Sequence, residues 1–194
     1  MMIAADDIEA FKQGPGLVGI TGKAGSGKST AAQVLLDAGW VRVKFADPLK
    51  DMLRAFYRLA GLYPDIIERK IEGDLKEVPC DLLCGQTPRW AMQSLGTDWG
   101  RKMIGVDLWL SIARRRIALA MAAGFDVVVD DVRFEDEADM IRELGGLVIG
   151  LERGDGAGGH VSEAGVAPDI RHVNDGTLDE LRGFVRYVFL MAGE

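Results

Sequence analysis

The sequence predicts an α/β fold built around a central parallel sheet. Three apolar runs, at residues 17–21, 127–129 and 147–151, have the composition of buried strands, and helical patterns lie between them. Strands that alternate with helices in this way pair in parallel through right-handed crossovers. Their carboxyl ends then meet along one edge of the sheet, where ligands of such folds bind.

Two strands and two helices are predicted in the amino-terminal part of the chain. The strand at 17–21 leads through a glycine-rich loop into a helix at about 27–38, and Gly39 is the predicted stop of that helix. A second strand at about 40–46 ends at Asp47-Pro48, where the proline favours the first turn of another helix.

The carboxyl-terminal part repeats this alternation. The valine strand at 127–129 ends in a pair of aspartates, and a helix follows from about Phe134 to a pair of glycines before the strand at 147–151. Thr177 and Glu180 form a capping-box pattern, which predicts the start of a final helix.

The length of 194 residues fits one domain. We expect its core at about 15–50, 124–152 and 176–193, with a helical insertion at about 51–123 and a glycine-rich lid at about 152–175. An insertion and a lid on such a core suit an enzyme that brings two substrates together and excludes water from them.

The chain is acidic, with a net charge of −7. This charge argues against a nucleic-acid polymer or an anionic membrane as the main partner. No apolar run reaches the roughly 20 residues that cross a bilayer, and the first residues lack the basic flank of a signal peptide. We therefore expect a cytoplasmic protein.

The glycine-rich loop after the first strand fits the phosphate-loop motif G-x-x-x-x-G-K-[ST] in the strand-to-helix context that the motif requires. Its glycines let backbone N–H groups approach phosphate oxygens, and the helix start adds roughly half a positive charge. Lys28 is predicted to reach the β- and γ-phosphates of ATP, and the Ser29 hydroxyl to coordinate Mg²⁺. The predicted ATP-binding residues are Gly22, Ala24, Gly25, Ser26, Gly27, Lys28, Ser29 and Thr30.

Phosphoryl transfer depends on cations and on metal-holding carboxylates, so these groups are the candidates for chemistry. Asp130 closes a buried strand and could hold Mg²⁺; alternatively, Asp130 or Asp131 caps the following helix. Arg133 is predicted to bind an acceptor phosphate, with an ion pair to Asp131 or Glu137 as the alternative. Asp47 could orient or deprotonate an acceptor oxygen, or serve only as a turn residue before proline.

The insertion and the lid carry further candidates. If the chain is helical from residue 88, Arg89 and Gln93 lie one turn apart, where Arg89 could grip a phosphate and Gln93 read a base edge. Trp90 is predicted to lie in the core. In the lid, Arg153 and Arg171 are candidates to reach the transferring phosphate, with plain surface charge as the alternative.

Several blocks together resemble the deoxynucleoside monophosphate kinases of tailed bacteriophages and their bacterial relatives. The first block is common to phosphate-loop proteins, whereas the later ones discriminate this family. The blocks span most of residues 17–182 and comprise 22–30, 45–50, 95–101 with Trp109, 130–134 with Glu137 and Ala138, and 160–163 with 174–176.

The resemblance implies the fold of a P-loop nucleotide kinase: a three-layer sandwich with a central parallel sheet, a helical monophosphate-binding insertion and a lid. It implies transfer of the γ-phosphate of ATP to a deoxynucleoside 5′-monophosphate, with Mg²⁺ required. Arg101 and Arg133 are then expected near the acceptor nucleotide, and Lys50 and Asp131 in the matched blocks join them. A homodimer is compatible with the sequence.

Two other functions stay open at this point. The amino-terminal third also resembles dephospho-coenzyme A kinase, in which a strand-end aspartate like Asp47 follows the loop. A P-loop ATPase that acts as an assembly or motor subunit is the alternative from another class. A switch GTPase does not fit, because the chain's one asparagine, Asn174, is followed directly by Asp175 and cannot form an N-K-x-D motif.

Overall fold

Strands and helices alternate in the computed structural model, which describes residues 16–153 and 165–191. The chain divides into two units. The core unit consists of Met1–Lys44 and Ala113–Glu194, and the helical unit consists of Phe45–Ile112. No helix among the described residues is long and apolar enough to cross a membrane.

The core unit contains a five-stranded parallel sheet. Its strands are β1 (Leu17–Thr21), β2 (Val41–Arg42), β3 (Val127–Val132), β4 (Leu147–Glu152) and β5 (Ile170–Val173). Their order in the sheet is β2-β3-β1-β4-β5. The central strand, β1, is buried along its whole length between β3 and β4, as the apolar run at 17–21 predicts.

Strand β2 is shorter than the sequence predicts. Only two of the residues at 40–46 form the strand, although the N–H of Val43 still donates to the carbonyl of Val128 at 3.0 Å. The chain then turns into a helix that begins at Asp47, with a proline in its first turn as predicted. The strand is short because the chain leaves the sheet after Val43 and turns at residues 45–46 before the helix.

Strand β5 lies within the segment predicted as a lid. It pairs with β4 in parallel register, with Ile149 opposite Ile170. Arg171 and His172 therefore belong to the sheet, and the sequence hid this strand because these two polar residues interrupt its apolar pattern. His160, a predicted lid residue, lies outside the described residues.

Helices cover both faces of the sheet in the core unit. In chain order, the α-helices of both units are α1 (Lys28–Asp37), α2 (Asp47–Leu59), α3 (Pro64–Ile71), α4 (Pro88–Gln93), α5 (Asp107–Ala122), α6 (Glu135–Glu143) and α7 (Leu178–Met191). Of these, α2, α3 and α4 belong to the helical unit. Leu35 of α1 and Val185 of α7 pack with Val18 of β1 on one face. On the other face, α6 packs so closely that a Cβ on Gly19 would stand 2.6 Å from Cδ1 of Ile141. The three-layer sandwich is confirmed.

The helical unit has an apolar cluster of its own, which includes Leu53, Tyr57 and Ile71. A π-helix, Ser94–Ile104, follows α4 directly. Trp109 packs against this π-helix, and its indole N–H donates to the carbonyl of Gly96 at 2.8 Å. This bond ties the π-helix to α5.

The prediction that Trp90 lies in the core is wrong. Its side chain is 52% exposed, whereas the next two residues, Ala91 and Met92, are buried. Helix α4 has only six residues, so a single side of it reaches the apolar cluster. Trp90 lies on another side.

Candidate functional site

The phosphate loop connects β1 to α1, and its backbone requires glycine at two positions. Gly22 has φ 143° and Gly27 has φ 100°, both in the left-handed region. A Cβ on Gly22 would also stand 2.3 Å from the carbonyl oxygen of Leu151 in β4. The loop therefore lies tightly against the carboxyl end of a neighbouring strand.

The amino terminus of α1 is open to an anion. Its N-cap residue is Gly27, no side chain caps the helix, and its first turn contains no acidic residue. The first N–H groups of a helix have no partner within the helix, and the helix dipole favours negative charge at this end. These features together form a phosphate-binding site.

The ammonium group of Lys28 folds back over the loop. It donates to the carbonyl oxygens of Gly22 at 2.5 Å and Lys23 at 2.7 Å. Burial lowers the pKa of Lys28, as does the nearby positive charge of Arg133, whereas the carboxylate of Asp130 acts in the opposite direction. Lys28, Arg133 and Asp130 therefore lie close enough in the core unit to interact.

Asp130 is a buried carboxylate at the end of β3. It is only 4% exposed, and its two oxygens lie 3.5 Å from Nε of Arg42 and 3.4 Å from Nζ of Lys44. The carboxylate oxygen Oδ1 of Asp130 has no hydrogen-bond donor among the described residues. A buried oxygen without a donor is chemically suited to Mg²⁺ or to a water bound to it.

The alternative role of the two aspartates as helix caps is wrong. Helix α6 begins at Glu135, and its N-cap is Phe134. The carboxylate of Glu137 accepts the backbone N–H groups of Phe134 at 3.1 Å and Arg133 at 2.7 Å. Because Glu137 supplies the cap from inside the helix, neither Asp130 nor Asp131 is needed for it.

Arg133 is exposed and has no ion pair among the described residues. The predicted alternative, a side-chain pair with Asp131 or Glu137, is not formed, since Glu137 binds the backbone of Arg133 instead of its guanidinium. The residue is thus held by its main chain while its cationic group stays accessible to a phosphate.

A cavity of about 220 Å³ adjoins the phosphate loop within the core unit. Arg153 lines it and donates from Nη1 to the carbonyl of Gly25 at 3.2 Å. Its other lining residues are Gly25, Gly27, Thr30, Asn174, Gly176, Thr177, Leu178 and Leu181. Of the two arginines predicted for the lid, Arg153 contacts the phosphate loop, whereas Arg171 lies in β5 and pairs with Glu152 at 3.5 Å.

The remaining candidates lie in the helical unit. Asp47 is the first residue of α2, and Lys50 in the same helix pairs with Glu72 at 2.7 Å. Helix α4 starts at residue 88 as predicted, and it carries Arg89, whose guanidinium pairs with exposed Glu77, and Gln93, which is exposed. The π-helix carries Arg101, which is partly buried. An exposed ion pair such as that of Arg89 is weak enough to exchange for a ligand.

The comparisons with known proteins agree with one another. A sequence model described as deoxynucleotide monophosphate kinase matches residues 80–185. A protein of Acanthamoeba polyphaga mimivirus, named as a candidate deoxynucleotide monophosphate kinase, is 35% identical over 185 residues, which cover 87% of this chain and 84% of that protein. The chain belongs to the deoxynucleotide monophosphate kinase family. It is therefore a phosphotransferase that acts on nucleotides.

Among solved structures, the APS kinase CysC of Mycobacterium tuberculosis is similar to this chain with a TM-score of 0.45 and 16% identity, covering 90% of this chain and 96% of that one. 

Sequence reasoning missed three residues of this kinase that the fold brings to the phosphate loop or to Asp130. Arg42 and Lys44 pair with Asp130, and the side chain of Asn174 donates to the carbonyl of Ser26. The alternation of charged and apolar residues at 41–45 is a signal for Arg42 and Lys44, because it places both on one side of an extended segment. A single sequence offers no comparable signal for a contact across 148 residues.

Proposed function

We propose that this kinase transfers the γ-phosphate of ATP to a deoxynucleoside 5′-monophosphate and releases ADP and a deoxynucleoside diphosphate. The observation that carries the proposal is the phosphate loop itself, where the start of α1 has no side-chain cap and Lys28 donates to loop carbonyls, while Arg133 and Asp130 both act on the charge of Lys28. Two cations and a carboxylate at this position supply the positioning and charge neutralisation on which phosphoryl transfer depends.

ATP binds through the phosphate loop in this proposal. Backbone N–H groups from Gly22 to Thr30 hold its phosphates, Lys28 leaves its two carbonyl partners to contact the β- and γ-phosphates, and Arg153 contributes from the rim of the loop. The Ser29 hydroxyl and, through water, Asp130 would hold Mg²⁺, which would supply charge neutralisation at the phosphates. Asp131 is the second carboxylate at the same strand end.

Each unit has its own candidate residues for contact with the acceptor nucleotide. Arg133 binds its phosphate, since its guanidinium is accessible and its backbone is held by Glu137. Lys50, Arg89, Gln93 and Arg101 of the helical unit contribute to recognition of the acceptor, and Asp47 orients the acceptor oxygen. The exposed ion pair of Arg89 with Glu77 can exchange for a phosphate contact at little cost.

ADP production measured with ATP, Mg²⁺ and each of the four common deoxynucleoside monophosphates in turn tests this proposal. We expect turnover with at least one of them and little hydrolysis of ATP alone. Turnover with dephospho-coenzyme A but with no monophosphate would favour the other kinase activity. ATP hydrolysis that needs no acceptor would favour the motor or assembly ATPase.

The variant Lys28→Ala serves as the negative control for the same assay. Removing one preorganised charge at a transferring phosphate reduces kcat by about 10²- to 10³-fold. The fold is expected to persist, because Lys28 is only half-buried and bonds to loop carbonyls. A near-normal rate in a folded Lys28→Ala protein would refute the assignment of the loop.

A further inference from the structure

The side chain of Asn174 joins the end of β5 to the phosphate loop. Its amide nitrogen Nδ2 donates to the carbonyl oxygen of Ser26 at 3.0 Å, across 148 residues of sequence. The backbone N–H of Asn174 donates to the carbonyl of Glu152 at 2.7 Å, which continues the pairing between β4 and β5 beyond the strand. Asn174 is therefore anchored to the sheet through its main chain and to the loop through its side chain.

The contact is close as well as polar. A Cβ on Gly27 would stand 2.2 Å from Nδ2 of Asn174, so the amide occupies the space that a larger residue in the loop would need. Ser26, whose carbonyl accepts the bond, is only 2% exposed. The loop therefore cannot shift toward Asn174, and the hydrogen bond opposes a shift away from it.

This bond fixes the orientation of one peptide group in the loop. The carbonyl of Ser26 and the N–H of Gly27 belong to the same planar peptide and point in opposite directions. Because Asn174 holds the carbonyl, the N–H of Gly27 is directed away from Asn174. An N–H group that is oriented before the ligand arrives costs less to order when a phosphate binds.

We propose that Asn174 is a positioning residue, which holds the Ser26–Gly27 peptide in the orientation that binds the phosphates of ATP. The inference rests on the proposed function. Among the described residues, three side chains donate to carbonyls of the loop: Lys28 to Gly22 and Lys23, Arg153 to Gly25, and Asn174 to Ser26. When Lys28 turns to the phosphates, the hydrogen bond from Asn174 keeps the loop in shape.

Asn174→Ala and Asn174→Asp test the proposal, with Asp175→Asn as the matched control on the next residue. Alanine removes the donor, and aspartate keeps the shape but places an anionic oxygen against the carbonyl of Ser26. We expect the KM for ATP to rise about tenfold in Asn174→Ala and further in Asn174→Asp, while the KM for the monophosphate changes less than twofold. Asp175→Asn should match the wild type.

Direct binding of a non-hydrolysable ATP analogue, measured by calorimetry, separates this inference from the proposed function. If the wild type binds the analogue but phosphorylates no monophosphate, the proposed function fails, and the analogue's Kd in the variants still decides the role of Asn174. Unchanged affinity in folded variants, or equal loss for both substrates, would overturn the proposal.

A measurement on the wild type covers the case in which the variants do not fold. Asn174 is the only asparagine of the chain, so ¹⁵N-asparagine labelling produces one side-chain NH₂ signal in an NMR spectrum. We expect slow exchange of its bonded proton with solvent, both free and with the ATP analogue bound. Fast exchange in the analogue complex would overturn the proposal.

Discussion

Positively charged residues cluster around Asp130 and Lys28, although the chain as a whole is acidic. The net charge is −7, yet the carboxylate of Asp130 lies between Arg42 and Lys44, and Lys28 lies within the influence of both Asp130 and Arg133. Two cations, Arg42 and Lys44, therefore lie within 3.5 Å of one buried carboxylate, which also acts on the charge of Lys28. Such a local excess of positive charge attracts phosphate groups to a protein that otherwise repels them.

Arg133→Ala should weaken binding of the monophosphate more than binding of ATP. Its guanidinium has no ion pair among the described residues, so the substitution removes charge without leaving an unpaired partner. We expect the KM for the monophosphate to rise about tenfold or more, because a charge-assisted hydrogen bond contributes about 1.5–3 kcal/mol. Steady-state kinetics with each substrate varied in turn measure this.

Arg182→Ala is the control for loss of positive charge, since Arg182 pairs with Asp179 on α7. If Arg133→Ala and Arg182→Ala behave alike, Arg133 does not bind the acceptor.

Asp130→Asn should shift the dependence of activity on Mg²⁺. The substitution keeps the shape of a buried side chain but removes the charge that would act on the metal through water. We expect the Mg²⁺ concentration at half-maximal rate to rise severalfold, and Asp131→Asn provides the comparison at the neighbouring carboxylate. An unchanged Mg²⁺ requirement with a higher KM for the monophosphate would instead mean that Asp130 orders Arg42 and Lys44.

Two elements, the π-helix and the edge strand β5, are each stabilised by an aromatic side chain of a neighbouring helix. The π-helix remains in place because Trp109 packs against Gly100 and bonds to Gly96. The edge strand β5 is held by β4 on one side and by a ring stack on one face, where His172 lies against Phe184 of α7 with 3.9 Å between ring centroids. Both arrangements depend on one aromatic contact made by a neighbouring helix.

Gly100→Ala should destabilise the π-helix. The added Cβ would stand 2.3 Å from Nε1 of Trp109, and a rigid indole in a packed cluster cannot yield, so we expect a loss of about 1–3 kcal/mol in the free energy of unfolding. Gly183→Ala is the matched control, because its Cβ meets nothing within 4 Å in α7. It should be neutral or stabilising by up to about 1 kcal/mol. Urea unfolding measures both; equal effects would contradict the packing argument.

His172 should make the stability of the protein depend on pH. Burial lowers its pKa below the ordinary 6.5, and Asp175 opposes this shift. Since the unfolded chain binds this proton more readily, the free energy of unfolding should fall as the pH drops from 6.5 through the lowered pKa.

His172→Phe keeps an aromatic ring against Phe184 and removes the titrating group. The free energy of unfolding, measured in denaturant, should fall less between pH 7 and pH 5 in the variant than in the wild type. An equal fall in both proteins would mean that protonation of His172 does not influence stability.

At the scale of the whole molecule, the fold was predictable from the sequence wherever the pattern that indicates an element lies within a short stretch of the chain. Apolar runs revealed β1, β3 and β4, and the capping box of Thr177 and Glu180 is present, with the N–H of Glu180 donating to the threonine hydroxyl at 3.3 Å. The phosphate loop was predictable because its motif is contiguous. Strand β5 was not, since an edge strand needs little apolar sequence when α7 and β4 supply its contacts.

The site was predictable only in part, for a similar reason. Asp130 and Arg133 both act on the charge of Lys28, and all three residues lie at or just after strand ends that meet at one edge of the sheet. The bond from Asn174 to Ser26 depends on how far β5 extends beside β4, which no pattern along a single chain reveals. The ion pairs of Lys50 and Arg89 depend likewise on helix packing.

The strand order has a consequence for synthesis of the protein on the ribosome. The phosphate loop and β1 emerge early, but β3 and β4, which flank β1 in the sheet, follow more than 100 residues later. The intervening helical unit is continuous in sequence. The nascent chain therefore exposes an apolar β1 until its two neighbours leave the ribosome, and in this interval it is most prone to aggregate.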